Sequence, residues 1–171
     1  DWSTLQSINT LGCGERYCAA YASKSDGYIE KFSFGDVDYF SGNDGGWGLH
    51  SKQRFIAHVG MEMPFSITPV KTIEHYELDA YFRAYYTIFI DFNRDSDFDD
   101  PGEYVLKDEG PTDKPYSWKI PIPKNAPQGL TRMRVILSRK TLGKACERST
   151  NILEVEDYSL GIFSPCPSSP P

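Results

Sequence analysis

The segment Ala84-Tyr85-Tyr86-Thr87-Ile88-Phe89-Ile90-Asp91-Phe92-Asn93 decides the fold class. Successive side chains of a strand point to opposite faces, so Tyr86, Ile88, Ile90 and Phe92 share one face and Tyr85, Thr87, Phe89 and Asp91 the other. Apolar residues on both faces predict a central strand covered twice. Working outward, the same alternation recurs at 28–34 and 64–70, and further strands are expected at 103–107, 116–122, 130–138 and 155–163. In 130–138, Thr131, Met133, Val135 and Leu137 fall on one face while Arg132 and Arg134 point the other way. The chain carries 14 Gly and 12 Pro along its whole length, which leaves no room for a sustained helical period. Short strands joined by such loops predict an all-β domain, an antiparallel β-sandwich of the immunoglobulin-like or jelly-roll-like kind.

A length of 171 residues suits one core, so residues 1–163 are read as a single domain. Residues 164–171, Ser-Pro-Cys-Pro-Ser-Ser-Pro-Pro, favour extended, solvated chain and read as a linker or tail. A formal charge of -6 with no basic run repels a polyanion, which makes nucleic acid a poor partner. No apolar run approaches the roughly 20 residues of a membrane-spanning helix, so no membrane insertion is expected. The glycine-rich stretch 41–48 reads as an exposed loop ending on one aromatic, Trp47.

Cys13, Cys18, Cys146 and Cys166 lack the paired spacing of a zinc ribbon and sit at the two ends of the chain. Of the three connectivities they allow, Cys18–Cys146 with Cys13–Cys166 is favoured. Each bridge then closes a long loop, for which the chain-entropy model gives about 4 to 5 kcal/mol. Bridges of this kind imply an oxidising compartment, hence a secreted or cell-surface protein.

The stretch from Asp91 to Glu103, Asp-Phe-Asn-Arg-Asp-Ser-Asp-Phe-Asp-Asp-Pro-Gly-Glu, crowds its carboxylates around one base, Arg94. Their repulsion would destabilise a compact turn unless a cation joins them. Ca²⁺ takes six to eight oxygens, and a loop with side-chain oxygens at positions 1, 3 and 5 wraps one ion. Asp91, Asn93 and Asp95 hold those positions, with Asp97, Asp100 and Glu103 as further ligands, the Asp97 carbonyl at position 7, and Asp99 acting through water. Ser96 stands where helical calcium loops have glycine, so a left-handed conformation is expected there at some cost. The loop follows a strand, which distinguishes it from an EF-hand. Consecutive acids on one tight turn do not face each other across a cleft as glycoside hydrolysis requires.

The acidic loop, together with 27–36 (Gly-Tyr-Ile-Glu-Lys-Phe-Ser-Phe-Gly-Asp), 120–135 (containing Thr131-Arg132-Met133-Arg134-Val135), Ala145-Cys146 and Glu154-Val155-Glu156-Asp157-Tyr158, resembles the GEVED domain family. The resemblance spans roughly Tyr17 to Phe163. Leu153 replaces the glycine of the name-giving motif, and Asp95-Ser96 replaces the usual Asp-Gly of the ion loop. The resemblance implies an extracellular β-sandwich module, attached to secreted or surface proteins, without catalytic activity.

Glu154, Glu156 and Asp157 are read in two ways: as ligands of the same or a second metal ion, or as partners of Arg132 and Arg134 across the sheet. His50, His58 and His75 have no zinc-site spacing, and no nucleophile elbow or phosphate loop is present. Trp47 is the candidate ligand-binding ring. The resulting expectation is a non-catalytic, calcium-binding recognition or adhesion module that takes a glycan or a surface-protein partner. The alternatives are a structural spacer between neighbouring domains of the same chain and, further off, a small glycoside hydrolase using Glu154 or Glu156.

Overall fold

The computed structural model describes residues 17–22, 27–71 and 84–165. Eleven strands follow in chain order: β1 (Tyr21–Ala22), β2 (Gly27–Phe34), β3 (Val37–Tyr39), β4 (Gly48–His58), β5 (Glu62–Lys71), β6 (Ala84–Ile90), β7 (Tyr104–Gly110), β8 (Tyr116–Pro121), β9 (Gly129–Arg139), β10 (Arg148–Ser149) and β11 (Ile152–Phe163). They form a five-stranded sheet in the order β4-β11-β9-β6-β7, a four-stranded sheet in the order β3-β2-β5-β8, and the small pair β1-β10. The fold is a β-sandwich, and no helix forms among the described residues.

The alternation along β6 explains its central place. Ala84, Tyr86, Ile88 and Ile90 enter the core between the two large sheets, where they meet Phe32 and Phe34 of β2, Phe65 and Ile67 of β5, and Val135 and Leu137 of β9. Phe89 points the other way, into a second apolar cluster with Ile136, Val155, Ile152, Phe98 and Ala20. The five-stranded sheet is thus covered twice: by the four-stranded sheet, and by the chain around 17–22 and 145–149 with the acidic loop. Cys18 and Cys146 are bridged in this second layer, as the expected pairing has it. Cys13 and Cys166 lie outside the described residues.

Three features depart from the sequence reading. β4 was not expected. Its residues 51–54, Ser-Lys-Gln-Arg, are polar and exposed or half-exposed, because a sheet-edge strand with one partner needs little apolar patterning. β4 also runs parallel to β11, with Gly48 opposite Glu156 and His58 opposite Phe163, so the sandwich is not wholly antiparallel. Finally, 41–48 is only partly exposed. Gly46, at a φ of 104°, is buried against Ala22, where an added Cβ would lie 2.9 Å from the alanine Cβ. Its carbonyl accepts the N–H groups of Ala22 and Val155, both at 3.2 Å.

Candidate metal centre

The acidic loop begins one residue beyond β6 and closes as β7 begins. Asp91 is fully buried and organises it. Its Oδ1 accepts the Arg94 N–H at 2.5 Å, and its Oδ2 accepts the Ser96 N–H at 3.1 Å and the Tyr17 hydroxyl. Burial, then the bond to Asp91, pushes the Tyr17 phenol well above its ordinary range, so it remains a proton donor. Arg94 and Ser96 both take positive φ, 67° and 80°, which bends the chain tightly enough for these bonds to close. The left-handed conformation expected at Ser96 is therefore present.

Beyond Asp91, each acceptor side chain receives the N–H two residues on. Asn93 Oδ1 takes the Asp95 N–H at 3.0 Å, Asp95 Oδ1 the Asp97 N–H at 3.2 Å, and Asp97 Oδ1 the Asp99 N–H at 2.9 Å. This ladder coils the loop so that Asp95, Asp97 and Asp100 bring one carboxylate oxygen each within 4.8 Å of one another. The Asn93 amide nitrogen donates to Asp95 Oδ2 at 2.7 Å and Asp100 Oδ2 at 2.6 Å. The bond from Asn93 holds Asp95 below the usual carboxylate range, while the proximity of Asp95 raises Asp100 above it. Asp99 is exposed and stands outside this group.

Glu103 ties the end of the loop to its start. Its Oε1 accepts the Phe92 N–H at 2.8 Å and the Asn93 N–H at 3.4 Å, whereas its Oε2 is buried without a hydrogen-bond partner. Removal from water pushes this carboxyl up to about 7. Phe98 pins the loop to the sheet by inserting beside Tyr17, at 5.1 Å between ring centres, and Phe89, at 5.7 Å. Of the expected ligands the fold brings together Asn93, Asp95, Asp97 and Asp100, uses Glu103 and Asp91 as anchors for the loop backbone, and leaves Asp99 aside.

The three acids of β11 do not converge. Asp157 faces the second layer and pairs with Arg134 through two 2.7 Å bonds and with Arg132 at 3.4 Å. Arg134 also donates to the carbonyls of Cys18 and Ala145, which links the ion pair to the disulfide. Glu154 and Glu156 point to the opposite face, so the pairing reading holds for Asp157 alone. Glu154 bridges the two sheets: it accepts the N–H of Ile29 on β2 at 2.6 Å and that of Asp44 at 2.9 Å. Glu156 lies beside His50 and Asp44. Burial pushes Glu154 up to about 7 and Glu156 up to about 8.

Trp47 is 45% exposed, but β11 and β9 separate the strand it precedes from β6, whose end carries the acidic loop. Trp118, at 65%, is the more exposed ring, on a groove of about 880 Å³ lined also by Pro64, Ser66 and Lys119. It has the parity of the buried Tyr116 and Ile120, so alternation alone hides its exposure on the edge strand β8. Asp44 and His50 were missed because their partner Glu156 is remote in sequence.

No curated protein matches the chain. The GEVED domain model matches residues 85–161, from β6 through most of β11, a span that contains the acidic loop, the Arg134–Asp157 pair and Cys146. The matching model is that of the family expected from the chain's motifs.

Proposed function

We propose that loop 91–103 binds Ca²⁺ and that the protein is a non-catalytic recognition or adhesion module of a secreted or cell-surface protein. The observation that carries the ion assignment is the convergence of one carboxylate oxygen each from Asp95, Asp97 and Asp100 in a loop whose closing residue, Glu103, also has a buried, unpartnered Oε2. A buried carboxylate oxygen without a partner is costly, and a cation that it reached would remove that cost while neutralising the clustered acids of the loop. Hard oxygen donors in this number and flexibility suit Ca²⁺ better than Mg²⁺, which holds its waters. Asn93 would join by rotating its amide, so that Oδ1 replaces the nitrogen now facing Asp95 and Asp100. Asp91 keeps one lone pair of Oδ1 for the ion while it continues to anchor the turn.

In this reading the ion organises a loop and performs no chemistry. Recognition falls to exposed rings elsewhere, with Trp47 as the anchor for a glycan or a protein surface. The disulfide and the domain family support an extracellular setting. Thermal unfolding in EDTA and after restoring Ca²⁺ tests the ion: a rise in Tm with Ca²⁺, abolished by the double variant Asp95→Asn, Asp97→Asn, is expected. An unchanged Tm would remove calcium from the account. A glycan array comparing the wild type with Trp47→Ala and Trp118→Ala tests the ligand. Signal lost in Trp47→Ala alone supports the assignment, loss in Trp118→Ala alone moves recognition to the groove on β8, and silence favours a protein partner.

A further inference from the structure

We propose that Asp44, His50 and Glu156 form a second metal site, for a divalent transition-metal ion of the zinc type, separate from the acidic loop. The three side chains come from the loop before β4, from β4 itself and from β11, and each places a ligand atom within 4.8 Å of the others. His50 Nε2 is 2.8 Å from Asp44 Oδ2 and 3.9 Å from Glu156 Oε1. Two metal–ligand bonds of about 2.1 Å at a tetrahedral angle set ligand atoms about 3.4 Å apart, a value these two distances bracket.

Two independent observations point to an ion. Glu156 is fully buried, and while its Oε2 accepts the Tyr158 hydroxyl at 2.5 Å, its Oε1, the atom directed at His50, has no hydrogen-bond partner. The space is also kept open. A Cβ on Gly48 would lie 2.2 Å from Asp44 Oδ2 and 2.6 Å from His50 Nε2, so any other residue there would fill the site. Gly48 does not need positive φ, so its lack of a side chain answers to this space and not to backbone conformation.

The surroundings orient the ligands as metal sites require. His50 Nδ1 lies 3.2 Å from the Tyr39 hydroxyl, which leaves Nε2 to face the carboxylates, and the imidazole stacks on Tyr158 at 5.1 Å. Glu154 holds the Asp44 backbone through its N–H. An imidazole with only two carboxylates suits a four-coordinate zinc-type ion, with solvent as fourth ligand, and falls short of the six to eight oxygens of Ca²⁺. Partial exposure of Asp44 and His50 leaves a path for the ion and that solvent ligand. On binding, the proton between His50 Nε2 and Asp44 and the proton of the Glu156 carboxyl both leave to solvent, and the metal takes their place.

The test is titration of the folded protein with Zn²⁺ in excess Ca²⁺, followed by calorimetry and by the imidazole ¹⁵N resonances of His50. One equivalent bound, with the Nε2 resonance displaced, is the expected result. His50→Gln and Gly48→Ala should each weaken uptake by about 10-fold or more, whereas Asp95→Asn with Asp97→Asn leaves it unchanged. Absence of uptake, or uptake that leaves the His50 resonances in place, overturns the site even if either variant fails to fold. Equal affinity in folded wild type and folded Gly48→Ala overturns it as well.

Discussion

The two faces of the five-stranded sheet are built from different materials. Towards the four-stranded sheet, rings and branched hydrocarbon fill the space: Phe32 alone meets Phe34, Phe55, Phe65 and Tyr158 within 6.5 Å between ring centres. On the other face Arg134 and Asp157 form a buried ion pair, the Arg132 guanidinium lies 4.3 Å from the Tyr17 ring centre, and a disulfide sits beside them. Hydrocarbon packing is non-directional and supplies stability. A buried pair must be met by donors and acceptors at set places, so it supplies position at little net gain. The positioned face is also the one against which the acidic loop is pinned, through Phe98 and through the Tyr17–Asp91 bond.

That difference can be broken experimentally. The largest effect is expected from Arg134→Ala, which leaves the buried Asp157 carboxylate with Arg132 alone, at 3.4 Å, and should destabilise the domain by about 3–5 kcal/mol in urea unfolding. Phe32→Ala should cost about as much, by leaving a cavity. The two faces then part company: Arg134→Met combined with Asp157→Leu should recover part of the loss, because the Asp157 charge has gone and Arg132 keeps its place over the Tyr17 ring. A double variant as unstable as the single one would mean that the ionic face supplies stability after all. Next comes calcium, which at a free concentration 100 times Kd should raise stability by about 2.7 kcal/mol. In the Arg134→Met, Asp157→Leu protein a weakened calcium response would show that this face positions the loop. Ser96→Gly is worth less, a gain of about 1 kcal/mol, since glycine accepts the φ of 80° without strain; an unchanged midpoint would show that the strain is offset locally. Smallest is Trp47→Ala, which should shift unfolding by under about 0.5 kcal/mol, as expected of a ring that serves binding.

How much was legible in the sequence follows the same division. β6 and β9 stood out because both faces are covered, so their alternation is written in apolar residues against Thr87, Arg132 and Arg134. β4 was illegible because its open edge tolerates Ser51, Lys52 and Arg54. The acidic loop could be read since its acids are neighbours and the ladder from Asn93 to Asp99 is local. Asp44, His50 and Glu156 could not, because only the parallel pairing of β4 with β11 brings Gly48 and its neighbours alongside Glu156. Asp157 lay between these cases: charge suggested both partners and ligands, and the pleat, which no spacing rule states, gave it to Arg134.

The place of β11 has a kinetic consequence. It is the last described strand in the chain, yet it lies between β4 and β9 and holds both. Until residues 152–163 are available, β4 has no neighbour in its sheet, and the order of synthesis cannot be the order of assembly. Such non-local closure is slow, on the order of milliseconds to seconds. A nascent chain emerging N-terminus first therefore remains open until residues 152–163 arrive, so ribosome-arrested lengths ending before residue 152 should stay protease-sensitive where the longer ones resist.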